Sequence, residues 1–128
     1  MLKKTVTYTD YNDVERTEDF YFNISKAEAV EMELTKEGTL SEWIQKVIDT
    51  QNIPELIVLF KEIVLKSYGE KSLDGKRFIK SQELRDAFEQ SQAYSEIFME
   101  LATNADAAAA FVNGILPKNL ENKTQVVE

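Results

Sequence analysis

The 128-residue sequence contains no cysteine and no histidine. Without cysteine the chain has no disulfide, no thiolate metal ligand and no thiol nucleophile. Without histidine it lacks the commonest general base near neutral pH and the commonest imidazole metal ligand. Ser-His and Cys-His catalysis are therefore excluded for this chain alone. Only carboxylates, lysines, arginines and tyrosines remain for chemistry.

Long apolar runs and clustered glycines are also missing. The longest uninterrupted apolar run, residues 107–112, is six residues long, far below the roughly 20 needed to span a bilayer. The N-terminal lysines are followed by no apolar segment, so a signal peptide is not indicated. The four glycines are isolated from one another, which excludes a glycine-rich phosphate loop. We expect a cytoplasmic protein with no membrane contact.

Acidic residues outnumber basic ones by 23 to 15, so the net charge is −8. Such a surface repels the phosphate backbone of nucleic acids and anionic membranes. The simplest interpretation is that the charge keeps the protein soluble. The alternative is an acidic inhibitor or nucleic-acid mimic of a mobile element that acts on a basic host protein. Interspersed lysines and arginines count against that alternative.

The N-terminal region predicts a β-hairpin over residues 3–24. Threonines alternate with Val6 and Tyr8 in residues 3–11, a pattern typical of a strand, and residues 11–13 favour a turn. In residues 15–24, Phe20, Phe22 and Ile24 lie on one face of a second strand. A lone hairpin is marginal in water, so this face must pack on helices or on another chain. Its unpaired edge is a template for another subunit, which leaves the oligomeric state open.

Capping boxes predict the first two helices: Ser25 with Glu28, and Thr39 with Glu42. The first helix ends near Gly38, and the second carries an apolar stripe at helical spacing. Pro54 suits the first turn of a third helix, which is apolar around much of its circumference. We expect it to be the central, most buried helix, with Gly69 at its C-cap. The stripe of the second helix is formed by Leu40, Trp43, Ile44, Val47 and Ile48.

Residues 70–80 predict a connection whose turn is centred on Asp74 and Gly75. Ser81 and Asn104 are good N-caps for later helices, and Ser91 marks a bend or break between them. Gly114 followed by Pro117 indicates a helix stop. The first of these helices carries Leu84, Ala87 and Phe88, and the next has an apolar stripe of Tyr94, Ile97, Phe98 and Leu101. In the last helix we expect Ala107, Ala110 and Phe111 to face inward.

The sequence thus predicts a mainly α protein with a small N-terminal β-hairpin (α+β), as a compact bundle of about five to six short helices. We expect one domain over residues 1–117, with the hairpin at 3–24 and the helical part at 25–116. Residues 118–128 are polar and aperiodic, which favours a flexible C-terminal tail.

Tests for chemical sites lead to none. An EF-hand loop centred on Gly75 would place Ser81 where a bidentate glutamate is needed, so the turn interpretation is preferred. The acidic pairs Asp13/Glu15, Glu18/Asp19 and Glu31/Glu33 are best explained as solvated faces, because hydrolysis needs two carboxyl groups across a cleft. We expect no catalytic, metal or cofactor-binding residues and no enzymatic activity.

Aromatic side chains supply much of the apolar surface area, and most are expected in the core. Some could instead line a groove for a partner, and periodicity does not separate the two possibilities. The partner-binding residues are therefore left unknown. The aromatic residues concerned are Phe20, Tyr21, Phe22, Phe78, Phe88, Tyr94, Phe98 and Phe111.

Residues 78–84 read FIKSQEL, and residues 87–117 read AFEQSQAYSEIFMELATNADAAAAFVNGILP. With the flanking residues from position 68, this stretch resembles tail assembly chaperones of long-tailed (siphovirus-type) phages and prophages of Gram-positive bacteria. The matching motifs are structural ones, and they include no catalytic signature. The β N-terminus followed by helices is compatible with that family.

The resemblance implies a non-enzymatic protein that binds the tape measure protein and keeps its hydrophobic helices soluble during tail assembly. It further implies tail tube protein as a partner, and a longer form of the chain made by ribosomal frameshifting. Such chaperones act in the host cytoplasm and are absent from the mature virion. The resemblance brings no catalytic residues and no cofactor, and it does not name a partner-binding site.

Overall fold

A computed structural model describes residues 1–33 and 52–117, together with Glu42, Gln45, Lys46 and Asp49. These residues form an α+β structure in which an N-terminal hairpin is followed by helices, as predicted. The strands are β1 (Leu2–Thr9), β2 (Glu15–Phe22), β3 (Tyr68–Lys71) and β4 (Phe78–Ile79). The helices are α1 (Lys26–Glu33), α2 (Ile53–Ser67), α3 (Gln82–Glu89), α4 (Gln92–Thr103) and α5 (Ala105–Ile115).

Three predictions fall outside the described residues. They are the end of the first helix at Gly38, the apolar stripe of the helix that follows the capping box of Thr39 and Glu42, and the flexible tail at residues 118–128. The division into one domain over residues 1–117 stays a prediction.

The N-terminal hairpin is confirmed, with β1 and β2 antiparallel and in register from Leu2 opposite Phe22 to Thr9 opposite Glu15. Its turn is organised by Asp10, whose Oδ1 accepts hydrogen bonds from the backbone N–H groups of Asn12 (2.8 Å) and Val14 (3.0 Å). Within that turn Asp13 adopts φ 63°, a conformation that aspartate tolerates better than most residues.

The two faces of this hairpin differ because strand side chains alternate. Val6 and Phe22 are buried on the inner face. On the outer face, Thr7 hydrogen-bonds Thr17 (2.9 Å) and Thr5 donates to Asp19 (2.6 Å). A slip of one residue would move the apolar side chains to the outer face. The polar outer pairs therefore favour the register in which the apolar face of the hairpin is directed at the helices.

The prediction that residues 70–80 only connect two helices was incomplete, because β3 and β4 form a second hairpin. The sheet has the order β1-β2-β3-β4, and β3 pairs antiparallel with both β2 and β4. The expected turn at Asp74 and Gly75 is confirmed. Asp74 Oδ1 accepts from Ser72 Oγ (2.6 Å) and from the Lys76 N–H (3.0 Å), and Gly75 has φ +74°.

Gly69 was wrongly expected to cap the third helix. The C-cap of α2 is Tyr68, in extended backbone, and Gly69 lies in β3. A Cβ atom at Gly69 would lie 2.7 Å from the Phe78 ring and 2.8 Å from the Ile79 carbonyl oxygen. Gly69 is therefore needed for close approach of β4 and not for a left-handed turn.

The predicted N-caps Ser25, Ser81 and Asn104 are confirmed, and Thr39 lies outside the described residues. Ser25 and Glu28 form the reciprocal capping box, with the Ser25 N–H to Glu28 Oε1 at 2.9 Å and the Glu28 N–H to Ser25 Oγ at 3.1 Å. Pro54 lies in the first turn of α2, as expected. Four helices have an N-cap side chain that accepts a backbone N–H of the first turn. These are Asn52 for α2, Ser81 for α3, Ser91 for α4 and Asn104 for α5. Gly114 lies inside α5, which ends one residue later at Ile115.

The core lies between the inner face of the sheet and helices α2, α3, α4 and α5. Helix α2 contributes more buried residues than any other described element, but its first half is not buried: Ile53, Ile57 and Val58 are exposed. In α5 the buried face was predicted partly wrongly, since Ala110 is exposed whereas Ala108 and Val112 are buried. The remaining fully buried side chains include Ile24, Ile63, Ile97 and Ile115.

Candidate partner-binding surface

The aromatic residues form a cluster inside the fold and do not form a groove. Phe88 is at its centre, 4% exposed, and its ring stacks on that of Tyr68 with centroids 4.1 Å apart. Phe22 and Tyr94 approach the Phe88 ring edge-on at 5.9 and 5.6 Å. The cluster continues through Phe20, Phe98 and Phe111.

Tyr21, in the inner strand β2, and Phe78, in the edge strand β4, are half-buried. Lysine ammonium groups lie over both rings, Lys71 at 4.4 Å from the Tyr21 centroid and Lys80 at 5.8 Å from the Phe78 centroid. None of the eight aromatic residues singled out in the sequence is among the strongly exposed large apolar side chains. Their main role is therefore packing, which was the first of the two expectations.

Among the described residues, the strongly exposed apolar side chains other than Tyr11 are aliphatic, and the largest group of them lies on α2. Ile53, Ile57 and Val58 are 64%, 45% and 64% exposed. Ile53 and Ile57, four residues apart, are neighbours on one side of the helix, and Val58 follows Ile57 about 100° further round it. We call Ile53, Ile57 and Val58 the α2 stripe.

The α2 stripe is held on a well-anchored helix. Asn52 Oδ1 caps the first turn by accepting the Glu55 N–H at 3.2 Å. In the second half of the helix, Leu59, Ile63 and Val64 are at most 2% exposed. Because this buried half anchors α2, the stripe in its first half is exposed without any rearrangement.

Sequence reasoning missed the α2 stripe because it assigned the helix to the centre of the bundle. The signal was present: a helix with one buried face needs apolar residues over only part of its circumference. Residues 56–60 are apolar without interruption, so at least one of them had to face away from the core. Which one could not be read without the neighbouring elements.

The acidic pair Glu18/Asp19 does not form a facing pair of carboxylates. Glu18 and Asp19 are consecutive in β2 and so point to opposite faces; Glu18 accepts from the Tyr8 hydroxyl and Asp19 from Thr5. This geometry does not suit hydrolysis, which needs both groups on one substrate. Within residues 1–33 and 52–117, no group of three or more acidic residues is placed to hold a metal ion.

A cleft of about 310 Å³ between α1, α2 and α3 is lined mainly by charged side chains, including Glu28, Glu62, Lys66 and Arg85. Beside it the Lys80 ammonium group contacts the Glu28 carboxylate at 2.6 Å. Burial acts to raise the pKa of Glu28, but hydrogen bonds from Lys80 and Ser25 outweigh it and the pKa is lowered. A general acid needs the opposite shift, so Glu28 acts as a structural anion.

Basic residues are distributed among acidic ones over separate parts of the described surface. Lys4 pairs with Glu100, Arg16 with Asp10, and Lys61 with Glu89. The first pair joins the hairpin to α4, the second lies within the hairpin, and the third joins α2 to α3. Mixed charge of this kind differs from the continuous carboxylate face that a nucleic-acid mimic requires.

No helix in the described part of the chain is long and apolar enough to cross a membrane. Searches of curated proteins and of solved structures found no significant match. A family model described as "phage tail assembly chaperone" matches residues 1–127, nearly the full sequence. That match covers the hairpin and α2 as well as the C-terminal half in which the resemblance was found. The chain therefore belongs to the phage tail assembly chaperone family.

Proposed function

We propose that this protein binds the tape measure protein of a long-tailed phage or prophage of a Gram-positive bacterium and keeps it soluble while the tail is assembled. It works by binding alone, without catalysis. Tail tube protein and a frameshifted longer form of the chain are further partners in this proposal. The protein acts in the bacterial cytoplasm and leaves before the virion is complete.

The α2 stripe is the observation that carries this proposal beyond membership of the family. Ile53, Ile57 and Val58 offer an aliphatic surface at helical spacing on a rigid helix. An amphipathic helix docks on such a surface by placing its own apolar residues, three and four apart, against it. A long helical protein with apolar stretches presents that pattern repeatedly, so one small stripe suits a chaperone that binds at many places.

The affinity expected of a single contact is low. Three aliphatic side chains give a small apolar patch, and small interfaces are typical of weak, transient complexes. Several chaperone molecules on one tape measure protein would together cover its apolar segments. Release during tail assembly is easier for such weak contacts than for one large interface.

Co-expression tests the proposal directly. The tape measure protein of the same genome is produced alone and together with this chain, and the soluble fraction and co-purification are measured. We expect more soluble tape measure protein and a complex on affinity purification. If solubility is unchanged and no complex is recovered, the proposed function is wrong. Mass spectrometry of purified virions should show the tape measure protein and lack this chain.

Variants test the surface separately from the function. Ile57→Asp combined with Val58→Asp places two charges on the α2 stripe without touching the core. Leu73→Asp is the matched control, because Leu73 is a fully exposed apolar residue in the turn between β3 and β4. We expect the double variant to lose the solubilising effect and the control to keep it. Equal effects in both variants would assign binding to another surface.

The alternative of an acidic inhibitor or nucleic-acid mimic is not proposed. The dispersed ion pairs of Lys4, Arg16 and Lys61 do not favour it.

A further inference from the structure

The free edge of β1 is a second candidate for partner binding, independent of the α2 stripe. Strand β1 is at the end of the sheet order, and its eight residues pair with β2 along one side only. Within the described part of the chain no other strand pairs with its outer side. An edge strand of this length offers a row of N–H and C=O groups to an incoming strand.

A groove runs along this edge. It has a volume of about 400 Å³ and is lined on one side by Lys4, Thr5, Val6 and Thr7, and on the other by α4. Consecutive strand residues point to opposite faces of a sheet. A cavity that touches four consecutive residues must therefore follow the edge of the strand and not one of its faces. The groove has the position that a fifth strand would occupy.

The groove is lined by both polar and apolar side chains, and those on α4 include Glu96, Ile97 and Met99. Ile97 is buried there, while Met99 is 52% exposed. Glu100 pairs with Lys4, whereas Glu96 makes no ion pair with any described residue. A strand entering the groove would thus place an apolar side chain against Met99 and meet the negative charge of Glu96. Methionine suits such a contact because its flexible side chain adapts to different partners.

The edge is only partly protected against pairing. Lysines near a strand edge oppose unwanted association, and β1 has Lys3 and Lys4 at its N-terminal end. The following residues, 5–9, are uncharged and mostly β-branched, which favours strand pairing. The open part of the edge is therefore the part beside Met99.

A second copy of this chain is the less suitable occupant. Antiparallel pairing of two β1 strands about a two-fold axis would bring both α4 helices to the same side of the joined sheet. Glu96 and Glu100 of one copy would then approach the same residues of the other, and each chain has a net charge of −8. Like charges brought together in this way oppose association.

We propose that the β1 edge binds an extended segment of a partner protein with alternating apolar and basic residues, which adds to the sheet as a fifth strand. Backbone hydrogen bonds to β1 supply affinity, and the alternating side chains supply selectivity. The apolar residues face Ile97 and Met99, and a basic residue lies near Glu96. The idea does not depend on tape measure binding through the α2 stripe.

A blocked octapeptide of alternating valine and lysine is the probe. The experiment records amide and methionine-methyl NMR spectra of the full chain during titration, and amide exchange at saturation. Two matched peptides serve as controls: alternating valine and glutamate, and the valine–lysine peptide with proline at its two central valines. Proline removes backbone donors while the charge of the peptide is kept.

We expect the valine–lysine peptide to shift the Met99 methyl signal and to slow exchange of the outward N–H groups of β1. Neither control peptide should do so. The Met99→Asp and Glu96→Lys variants should each weaken binding by about threefold to tenfold, the scale of changing a single contact or rim charge. Val14→Asp, in the turn of the first hairpin, should leave it unchanged.

Three results would overturn the proposal. One is the absence of shifts at β1 and Met99 with the valine–lysine peptide. Another is equal binding of the proline-containing peptide, which would reduce the effect to charge attraction. The third is a dimer in light scattering that is abolished by Met99→Asp, which would assign the edge to a second copy. Because the probe contains no tape measure sequence, these outcomes are independent of the co-expression test.

Discussion

The Nζ atom of Lys80 lies 2.6 Å from the Oε2 atom of Glu28, although 52 residues separate them in sequence. The same ammonium group donates to the backbone carbonyl of Asn23 at 2.7 Å. Lys80 thus links the end of β2, the start of α1 and the segment after β4. Its side chain is only 12% exposed, and burial lowers the pKa of Lys80 against the influence of Glu28.

Replacing Lys80 with methionine should destabilise the fold by about 1–3 kcal/mol, because it leaves the Asn23 carbonyl and the Glu28 carboxylate without their charged donor. Urea unfolding at neutral pH measures the change. Lys61→Met is the control, since Lys61 pairs with Glu89 at an exposed site and should contribute less than about 1 kcal/mol. Equal losses in the two variants would contradict a special role for Lys80.

Glu28 should make the stability depend on acid pH. Its pKa in the fold lies below its ordinary value of 4.5, so the folded state favours the carboxylate more than the unfolded state does. The stabilisation is fully present above that value and is lost as the pH falls through the lowered pKa. Urea unfolding of the native chain and of Glu28→Gln, compared between neutral pH and pH about 3, should show a difference that shrinks on acidification. A constant difference would exclude Glu28 as a source of the dependence.

Phe88→Ala should cost about 3–5 kcal/mol, the range for removing a buried aromatic ring. Phe88 contacts the rings of Phe20, Phe22, Tyr68 and Tyr94, so its removal leaves a cavity that several elements line. The measurement is the urea midpoint together with the near-ultraviolet circular dichroism of the tyrosines. Tyr11→Ala, at an exposed turn, should change stability by less than about 0.5 kcal/mol.

Gly69→Ala should destabilise the second hairpin by about 1–3 kcal/mol. The added methyl group would meet the Phe78 ring and the Ile79 carbonyl oxygen at 2.7 and 2.8 Å, and backbone does not move aside easily. Gly75→Asn tests the other kind of glycine. Nothing lies within 4 Å of a Cβ atom there, and asparagine tolerates the positive φ of 74°.

Thermal unfolding distinguishes the two glycine variants. We expect Gly69→Ala to lower the midpoint clearly and Gly75→Asn to lower it little. A larger loss for Gly75→Asn would mean that turn conformation, and not the close approach of β4, limits the stability of this hairpin.

Local signals predicted the elements that local interactions determine. The alternating threonines of β1, the capping box of Ser25 with Glu28, and the N-caps Ser81 and Asn104 act within a few residues, and each was found as expected. The pair β3 and β4 was missed for the opposite reason. Residues 68–71 have little strand pattern of their own, and β3 exists because Gly69 and Tyr68 pair with Tyr21 and Phe22 of β2.

For the candidate binding surface, too, the sequence predicted one part and left another part open. Composition excluded histidine and cysteine chemistry and pointed to a binding role. The sequence left the binding residues unknown, because aromatic side chains suit both a core and a groove. In the fold, Phe88 and Phe22 are buried, while the exposed apolar surface consists of aliphatic residues such as Ile57 and Val58.

The sequence by itself determined the chemistry that is excluded, the N-terminal hairpin, the helix starts and the family resemblance, all of which depend on residue types and short spacings. Only the tertiary structure decided which part of α2 stays exposed, why Gly69 must lack a side chain and that β1 lies at an edge. Each of these depends on contacts between segments far apart in the chain. Periodicity shows that a face is apolar, but the neighbouring elements decide whether that face is covered.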